Sequence, residues 1–287
     1  MSAPEVRRPE PPTGERSRTG VRGRPSTARI ALARTGLEVR QFVRERDAMA
    51  FVFAYPIVML VIFGSIFGGQ RLPDGTPFSH YFLAGIVATG IMLTSFQSLA
   101  VGIAGERDDG TLKRLRGMAV PALAYVLGKV GMVLTTSVVQ LVLLLLVARI
   151  AYDVPWPGDL THWARFGWVF ALGTVAGTVL GVAFSAVPAS ARSATAVTAP
   201  VVIVLQFFSG VFFTLASLPG WMLAVAEVFP LKWMAQGLRA ALLPESAAAA
   251  EPGGSWGLGT GALIMAAWVV LGLLLCLRSF RWTRKDR

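Results

Sequence analysis

Residues 126–151 read VLGKVGMVLTTSVVQLVLLLLVARIA, and residues 81–104 read YFLAGIVATGIMLTSFQSLAVGIA. Both runs are almost free of charge, and both are long enough for a helix to cross the hydrocarbon core of a bilayer, which takes about 20 residues. Between them, residues 105–117 read GERDDGTLKRLRG, a segment in which more than half of the residues are charged. This alternation predicts membrane-spanning helices joined by a short polar loop.

The composition of the whole chain indicates the same class of protein. The chain has 287 residues, of which 54% are hydrophobic and only 15% are charged, and its mean hydropathy is +0.59. Soluble domains usually carry about 25% charged residues. The short alternating segments of a membrane β-barrel are not seen in the sequence. We therefore expect an all-α polytopic membrane protein.

The chain divides into a polar tail at residues 1–26 and an apolar domain at residues 27–287. The tail is rich in proline and arginine, so we expect it to be disordered in the cytosol. Residues 27–48 have the basic amphipathic pattern of a helix that lies in the membrane interface, although a soluble helical linker fits it too. Six spans are predicted to follow, at residues 49–69, 80–104, 119–151, 164–187, 194–217 and 257–277.

Lysine and arginine are distributed unevenly about these spans. With the amino terminus in the cytosol, most of the 27 Lys and Arg fall on the cytosolic side or at the inner ends of the spans. This is the positive-inside asymmetry of membrane proteins. It predicts an inner (plasma) membrane protein with both termini in the cytosol. It also explains the net charge of +11 without a nucleic acid partner.

Residues 218–256 form a long segment on the predicted external side. They contain two helical patterns that are each too short to cross a bilayer, separated at Phe229-Pro230. Proline is favoured at the start of a helix. We interpret the segment as an external re-entrant helical hairpin with Glu227 between its apolar faces and Pro230 at its turn. A plain surface loop with two helical turns is the alternative.

The spans contain little that could drive transport by themselves. Gly128-Lys129 lacks the other residues of a phosphate-binding loop, so the chain is not expected to hydrolyse ATP. The predicted span cores contain no Asp or Glu, which an ion-coupled carrier usually places there. Lys129 is expected to snorkel to the inner interface rather than line a pathway. Neither a catalytic constellation nor a metal-ligating cluster is recognised.

The charged segment at residues 105–117 has two interpretations. Asp109 or Thr111 could cap a short helix in which Leu112 and Leu115 share one face. Such a helix could insert its leucines into a groove of a cytosolic partner, while Glu106 and its neighbouring acids select the register. A solvated turn that obeys the positive-inside rule fits the same residues equally well.

A resemblance favours the docking interpretation. Residues 105–130 resemble the first cytoplasmic loop of type-2 ATP-binding-cassette (ABC) permeases, with the pattern E-R-x-x-G-T-L-x-x-L. Residues 207–242 resemble the Phe-x-Ser-Gly end of the fifth span and the hairpin that follows, with Thr214 where many relatives carry proline. Within the family, the chain looks most like the daunorubicin-resistance type of exporter subunit. The loop residues that match the pattern are Glu106, Arg107, Gly110, Thr111, Leu112 and Leu115.

The resemblance implies a division of labour between subunits. Such a permease pairs with a separate ATPase subunit, which holds ATP and Mg, and with a second permease copy or homologue in the lipid membrane. The segment at residues 105–117 would be the cytosolic coupling helix, seated in the ATPase. The complex would export an amphipathic substrate of the drug or antibiotic, lipid or glycan class. This chain would be no enzyme and would hold no cofactor.

Two further sets of residues are candidates for helix packing and for the substrate path. Small residues that recur at every fourth position of the fourth span allow close helix approach, and they are Gly173, Gly177 and Gly181. Polar and aromatic residues of the second and fifth spans suit an amphipathic substrate, although interhelical hydrogen bonding is the simpler explanation for any one of them. These residues are Thr94, Gln97, Gln206, Phe208, Ser209 and Phe212.

Two other functions stay open at this stage. An ion-coupled secondary transporter would follow a proton gradient and ignore ATP. A non-transporting membrane scaffold would move no substrate with any partner present.

Overall fold

The structure is a computed structural model that describes residues 26–118 and 121–279. These residues are 82% helical and contain no strands. The predicted tail, apart from Ser26, lies outside the described residues. The α-helices of the described part are α1 (Thr27–Arg44), α2 (Arg46–Ile66), α3 (Phe78–Met92), α4 (Ser98–Asp108), α5 (Thr111–Gly117), α6 (Ala122–Tyr152), α7 (Leu160–Phe184), α8 (Ala191–Phe208), α9 (Gly220–Val228), α10 (Pro230–Leu242) and α11 (Leu258–Ser279).

Six segments of the described chain are long and apolar enough to cross a membrane. The second of them joins α3 and α4 through a π-helical turn at Leu93–Gln97. The predicted all-α polytopic class and the six spans are thereby confirmed. The six segments are Arg46–Ile66, Phe78–Asp108, Leu123–Tyr152, Leu160–Phe184, Ala191–Phe208 and Leu258–Arg278.

The core of the bundle lies around α3 and α10, which pack against each other. Nearly every residue of α3 and all residues of α10 are buried. The other spans pack around this pair and keep apolar faces outward; the most apolar window of the last span, for example, is only 17% buried. A helix that is apolar on all sides needs either a protein interior or lipid around it. Such outward apolar faces are typical of helices that span a membrane.

Short polar side chains fix several helix starts. Ser26 accepts a hydrogen bond from the Arg29 backbone at 3.4 Å, and Ser190 forms a capping box with Ser193 at the start of α8. Such caps satisfy backbone N–H groups that have no partner within the helix. In the predicted hairpin, Pro230 occupies the first turn of α10, where its missing N–H costs nothing.

The largest correction concerns the fifth span, which was predicted at residues 194–217. Helix α8 ends at Phe208, and Gly210 follows with a positive φ of 65°. The carbonyl of Gly210 accepts a hydrogen bond from the Arg239 guanidinium, so a partner from α10 satisfies the backbone where the helix stops. The apolar run continues beyond this point, and for that reason hydropathy alone extended the span.

Two smaller corrections concern the leading helix and the hairpin. The helix predicted at residues 27–48 ends at Arg44, because the chain breaks at Glu45 before α2 begins. Helices α9 and α10 coincide with the two short helical patterns of residues 218–256, and their re-entrant placement on the external side stays a prediction. Glu227, however, is exposed rather than held between apolar faces.

Candidate functional site

Lys129 joins three helices at the end of the bundle that carries the charged segment. Its Nζ atom lies 2.6 Å from Glu38 Oε2 on α1 and 2.6 Å from Glu106 Oε1 on α4. Lys129 itself belongs to α6 and is only 4% exposed. A single ammonium group therefore holds α1 and the start of the charged segment against α6.

Two more side chains complete the arrangement. Arg34 binds the other oxygen of Glu38 at 2.6 Å, and the Tyr125 hydroxyl donates to Glu106 Oε2 at 2.7 Å. The Arg34 guanidinium also stands over the Tyr125 ring, 5.6 Å from its centroid. We call Arg34, Glu38, Glu106, Tyr125 and Lys129 the Lys129 cluster. Its two carboxylates and two cations balance, so that it carries no net charge.

This geometry corrects the expectation that Lys129 snorkels to the interface. A charge that is buried without a partner costs several kcal/mol, whereas a buried charge that is paired and hydrogen-bonded can persist. Glu38 comes from a helix far earlier in the sequence, and Glu106 from the preceding span. The pairing is therefore a property of the tertiary structure.

Two glycines allow α1 to approach α6 closely enough for these bonds. A Cβ atom on Gly128 would lie 2.7 Å from the Arg34 Cβ atom, and one on Gly131 would overlap Thr35. The Thr35 hydroxyl also donates to the Gly128 carbonyl at 3.5 Å. Helix α1 thus packs directly on a span, and its other face carries exposed residues such as Leu32 and Leu37.

The arginine of the charged segment also points into this chain. Arg107 donates through Nη1 to the Ser185 carbonyl, at the C-terminal end of α7, and its Nη2 atom lies 3.4 Å from Ser185 Oγ. A cation at this position is favoured because it meets carbonyl groups without helical partners and the negative end of the helix dipole. Glu106 and Arg107 together fasten the end of α4 to α6 and α7.

The two leucines of α5 are buried inside the chain. Leu112 is 0% and Leu115 is 4% exposed, and both pack in an apolar cluster with Ile103, Tyr125 and Val182. The role of Glu106 in docking stays a prediction, whereas the expectation that the two leucines insert into a partner's groove is wrong for this structure, because both are buried. They position α5 instead.

Gly110 and Thr111 make the turn that leads into α5. Gly110 has a φ of 79°, which glycine adopts readily, and the Asp109 carboxylate accepts from the Thr111 backbone at 2.8 Å. Around this turn, a mostly polar surface stays exposed. We call it the α4–α5 surface, and it consists of Asp108, Lys113, Arg114 and Met118.

A cleft of about 380 Å³ opens beside the Lys129 cluster. Residues of α1, α2, α4, α6 and the start of α8 line it, and Glu38, Glu106 and Lys129 form part of its wall. Of the six residues predicted for the substrate path, Gln97 alone is among the lining residues. It is 9% exposed.

The other five predicted path residues are dispersed over the structure. Thr94 bonds to Ser137 at 2.5 Å, and Gln206 accepts from the Tyr55 hydroxyl at 2.9 Å. Phe212 is buried 5.1 Å from the ring of Phe63, so these three residues make contacts inside the bundle.

Phe208 and Ser209 mark the end of α8. The Phe208 ring meets the edge of Trp221 at 5.7 Å. Ser209 is fully buried, and its hydroxyl has no hydrogen-bond partner in the part of the chain that the structure describes.

The small residues of α7 face other helices. A Cβ atom on Gly173 would lie 2.9 Å from the end of Met234, and one on Gly181 would lie 2.8 Å from the backbone carbonyls of the π-helical turn. At Gly177 it would overlap Ser95. This face of α7 therefore packs on the Met234 side chain of α10 and on the backbone of the π-helical turn.

A second buried charge pair lies at the opposite end of the bundle. Arg239 Nη1 lies 3.0 Å from Glu251 Oε1, and both side chains are 0% exposed. The guanidinium also stacks 3.7 Å above the centroid of the Tyr81 ring. Arg239 thus ties α10 to α3 and to the segments that follow α8 and α10.

Comparison with known protein families agrees with this architecture. A family model described as ABC-2 type transporter matches residues 32–243, which is well over half of the chain. The chain belongs to the ABC-2 type transporter family. The match runs from α1 to just past α10 and so includes the whole Lys129 cluster and α5. No curated protein matches the chain.

Membership of the ABC-2 family confirms the family proposed from the sequence. The chain is a multi-pass membrane protein and a permease subunit of an ABC-type transporter. Proteins of this family normally work with an ATPase subunit.

Sequence reasoning missed the Lys129 cluster as a unit. It recognised Glu106 as part of a motif and Lys129 as an isolated charge, but it left Glu38 and Tyr125 without a role. One signal was present in the sequence. Glu38 is an acidic residue on the expected amphipathic helix, and Lys129 is a strong charge inside a span, so each needed a partner.

Proposed function

We propose that this ABC-2 permease is one half of an ATP-driven exporter in the inner (plasma) membrane, with both termini in the cytosol. The observation that carries the proposal is the geometry of the charged segment at residues 105–117. Its motif residues Glu106 and Arg107 fasten it to the spans, and the α4–α5 surface beside them is exposed. A separate ATPase subunit, which holds ATP and Mg, docks on this surface.

The Lys129 cluster transmits the movement of the motor. Because Glu38, Glu106 and Lys129 hold α1, α4 and α6 together, a push on the α4–α5 surface moves these helices as one body. The exposed apolar faces of α2, α8 and α11 meet lipid and a second permease, which is either a copy or a homologue. The exported substrate is amphipathic and belongs to the drug or antibiotic, lipid or glycan class.

Reversing the charge of the α4–α5 surface tests the docking. We expect the double variant Lys113→Glu and Arg114→Glu to lose capture of the ATPase from native membranes, because both side chains are exposed and their reversal repels a complementary surface. The measurement is co-purification with identification of the partners by mass spectrometry. The control is Arg149→Glu, an exposed change at the far end of α6.

Capture that persists at full strength in the double variant would contradict the docking site. Transport into proteoliposomes gives a second readout. The proposal predicts that substrate movement requires ATP and the ATPase subunit. Movement that follows a proton gradient and ignores ATP would indicate a secondary transporter, and no movement with all partners present would indicate a scaffold.

A further inference from the structure

The cleft beside the Lys129 cluster has the size and lining of a small-molecule site. Its volume of about 380 Å³ lies in the range of about 300–1,000 Å³ that is usual for ligand pockets. Apolar side chains from four elements form much of its wall, and they include Phe42, Val52, Leu93 and Met132, each less than a tenth exposed. This wall suits the apolar part of a ligand.

The charged groups of the cleft favour a cation. Its lining contains four carboxylates, those of Glu38, Glu45, Glu106 and Asp109, but only the ammonium of Lys129 among basic groups. Glu38 and Glu106 are already neutralised within the Lys129 cluster. Glu45 and Asp109 form no ion pair with any side chain that the structure describes. The cleft therefore carries an uncompensated negative charge.

Gln97 is a separate indication that a ligand belongs there. Its side chain lines the cleft and is nine-tenths buried. Within residues 26–118 and 121–279 its amide makes no hydrogen bond, and its polar atoms are open to the cleft rather than sealed in the protein. A ligand ammonium or hydroxyl group in the cleft would satisfy the Gln97 carbonyl.

We propose that this cleft is the site at which the exporter loads its substrate and that it selects cationic amphiphiles. The ammonium group of the substrate binds between Glu45, Asp109 and the side-chain carbonyl of Gln97. Its apolar part packs against Phe42 and Leu93. The role in export rests on the proposed function above. Binding of a ligand in the cleft does not rest on that function, because it requires neither ATP nor the ATPase.

Two fluorescent probes of equal length and opposite charge test the selection. Dansylcadaverine ends in an ammonium group, whereas dansyl-6-aminohexanoic acid ends in a carboxylate. We expect the purified permease in lipid nanodiscs, without ATPase or ATP, to bind dansylcadaverine saturably with a blue shift of its emission. The acid should bind at least about tenfold more weakly. Empty nanodiscs correct for partition into lipid.

Substitutions in the cleft locate the probe. We expect Glu45→Gln combined with Asp109→Asn to weaken dansylcadaverine binding about threefold to twentyfold, since two partly exposed charge contacts are lost. Gln97→Leu should weaken it about threefold to tenfold through loss of one hydrogen bond. The control is Asp47→Asn, an exposed acid close to Glu45 that does not line the cleft, and it should change binding less than about twofold.

Equal binding of the two probes, or unchanged binding in both cleft variants, would overturn the proposal. Gel filtration shows that each variant remains folded, so that a loss of binding is specific to the cleft. The two proposals fail separately. A permease that binds dansylcadaverine in the cleft but captures no ATPase would refute the proposed function alone, whereas ATP-driven export with no charge selection in the cleft would refute this inference alone.

Discussion

At the scale of single residues, the Lys129 ammonium satisfies two carboxylates that come from different helices. Glu38 and Lys129 are both almost fully buried, at 4% exposure each. The usual cost of such burial is offset only while each charge keeps its partner. Removal of the shared cation therefore affects more than a single contact.

The substitution Lys129→Met tests this dependence. It leaves Glu38 without its cation from α6 and Glu106 with Tyr125 alone, so we expect a loss of stability of about 3–5 kcal/mol. Thermal unfolding in detergent measures the change. Lys113→Met removes an exposed lysine of the neighbouring α5 and should stay within about 0.5 kcal/mol of the wild type. Equal unfolding temperatures for the two variants would refute the role of the Lys129 cluster.

Lys232 on α10 makes a prediction about pH. Burial lowers the pKa of Lys232 to about 8, although Glu227 and Glu251 oppose the shift. The unfolded chain keeps this lysine charged up to its ordinary pKa of 10.5. Between these two values the unfolded state binds more protons than the folded state, so stability should rise with pH from about 8 to 10.

The variant Lys232→Met should lack this contribution. Thermal unfolding of the wild type and the variant between pH 7 and pH 10 measures the difference. The stability of the wild type relative to that of the variant should increase as the pH rises. Lys113→Met serves again as the control and should follow the wild type. A constant difference between wild type and Lys232→Met would contradict the expected titration.

At the scale of elements, α1 and α6 form one packed unit. Because a Cβ atom on Gly131 would overlap Thr35, we expect Gly131→Ala to cost about 1–3 kcal/mol by overpacking. Loss of ATP-driven transport should accompany it if α1 moves away from α6. Thermal unfolding and transport are the measurements.

Gly36→Ala is the matched control for this prediction. It lies on α1 next to Thr35, but a Cβ atom there would meet nothing within 4 Å. Alanine in a helix is about 0.5–1 kcal/mol more favourable than glycine, so this variant should be slightly stabilised. A second change, Thr35→Ala, should restore part of the stability of Gly131→Ala. Equal unfolding temperatures and equal transport rates for Gly131→Ala and Gly36→Ala would contradict close packing of α1 on α6.

The elements were predictable from the sequence to different degrees. Five spans begin and end within a few residues of their predicted limits, because uniform apolar composition marks a lipid-embedded helix. The end of α8 was not predictable in this way. At its break, Arg239 from a distant helix binds the Gly210 carbonyl, and hydropathy contains no information about such a partner.

At the scale of the whole molecule, the charged segment makes contacts within its own chain in addition to the docking role proposed for it. Its pattern correctly indicated the family, but it did not reveal that Glu106, Arg107, Leu112 and Leu115 contact their own chain. Packing on the same chain and docking on a partner both need a short polar segment with periodic leucines, so the pattern alone does not distinguish the two. The distinction came from burial and from the partners on α6 and α7.

The central claim is that this segment faces the cytosol and receives an ATPase on its exposed side. Lys113→Cys in a Cys276→Ala background places a single thiol on the α4–α5 surface. We expect a membrane-impermeant maleimide to label it in inverted vesicles but not in intact cells, and added ATPase subunit to protect it. Labelling from the outside of intact cells would contradict the account, because no intracellular motor could then reach the surface.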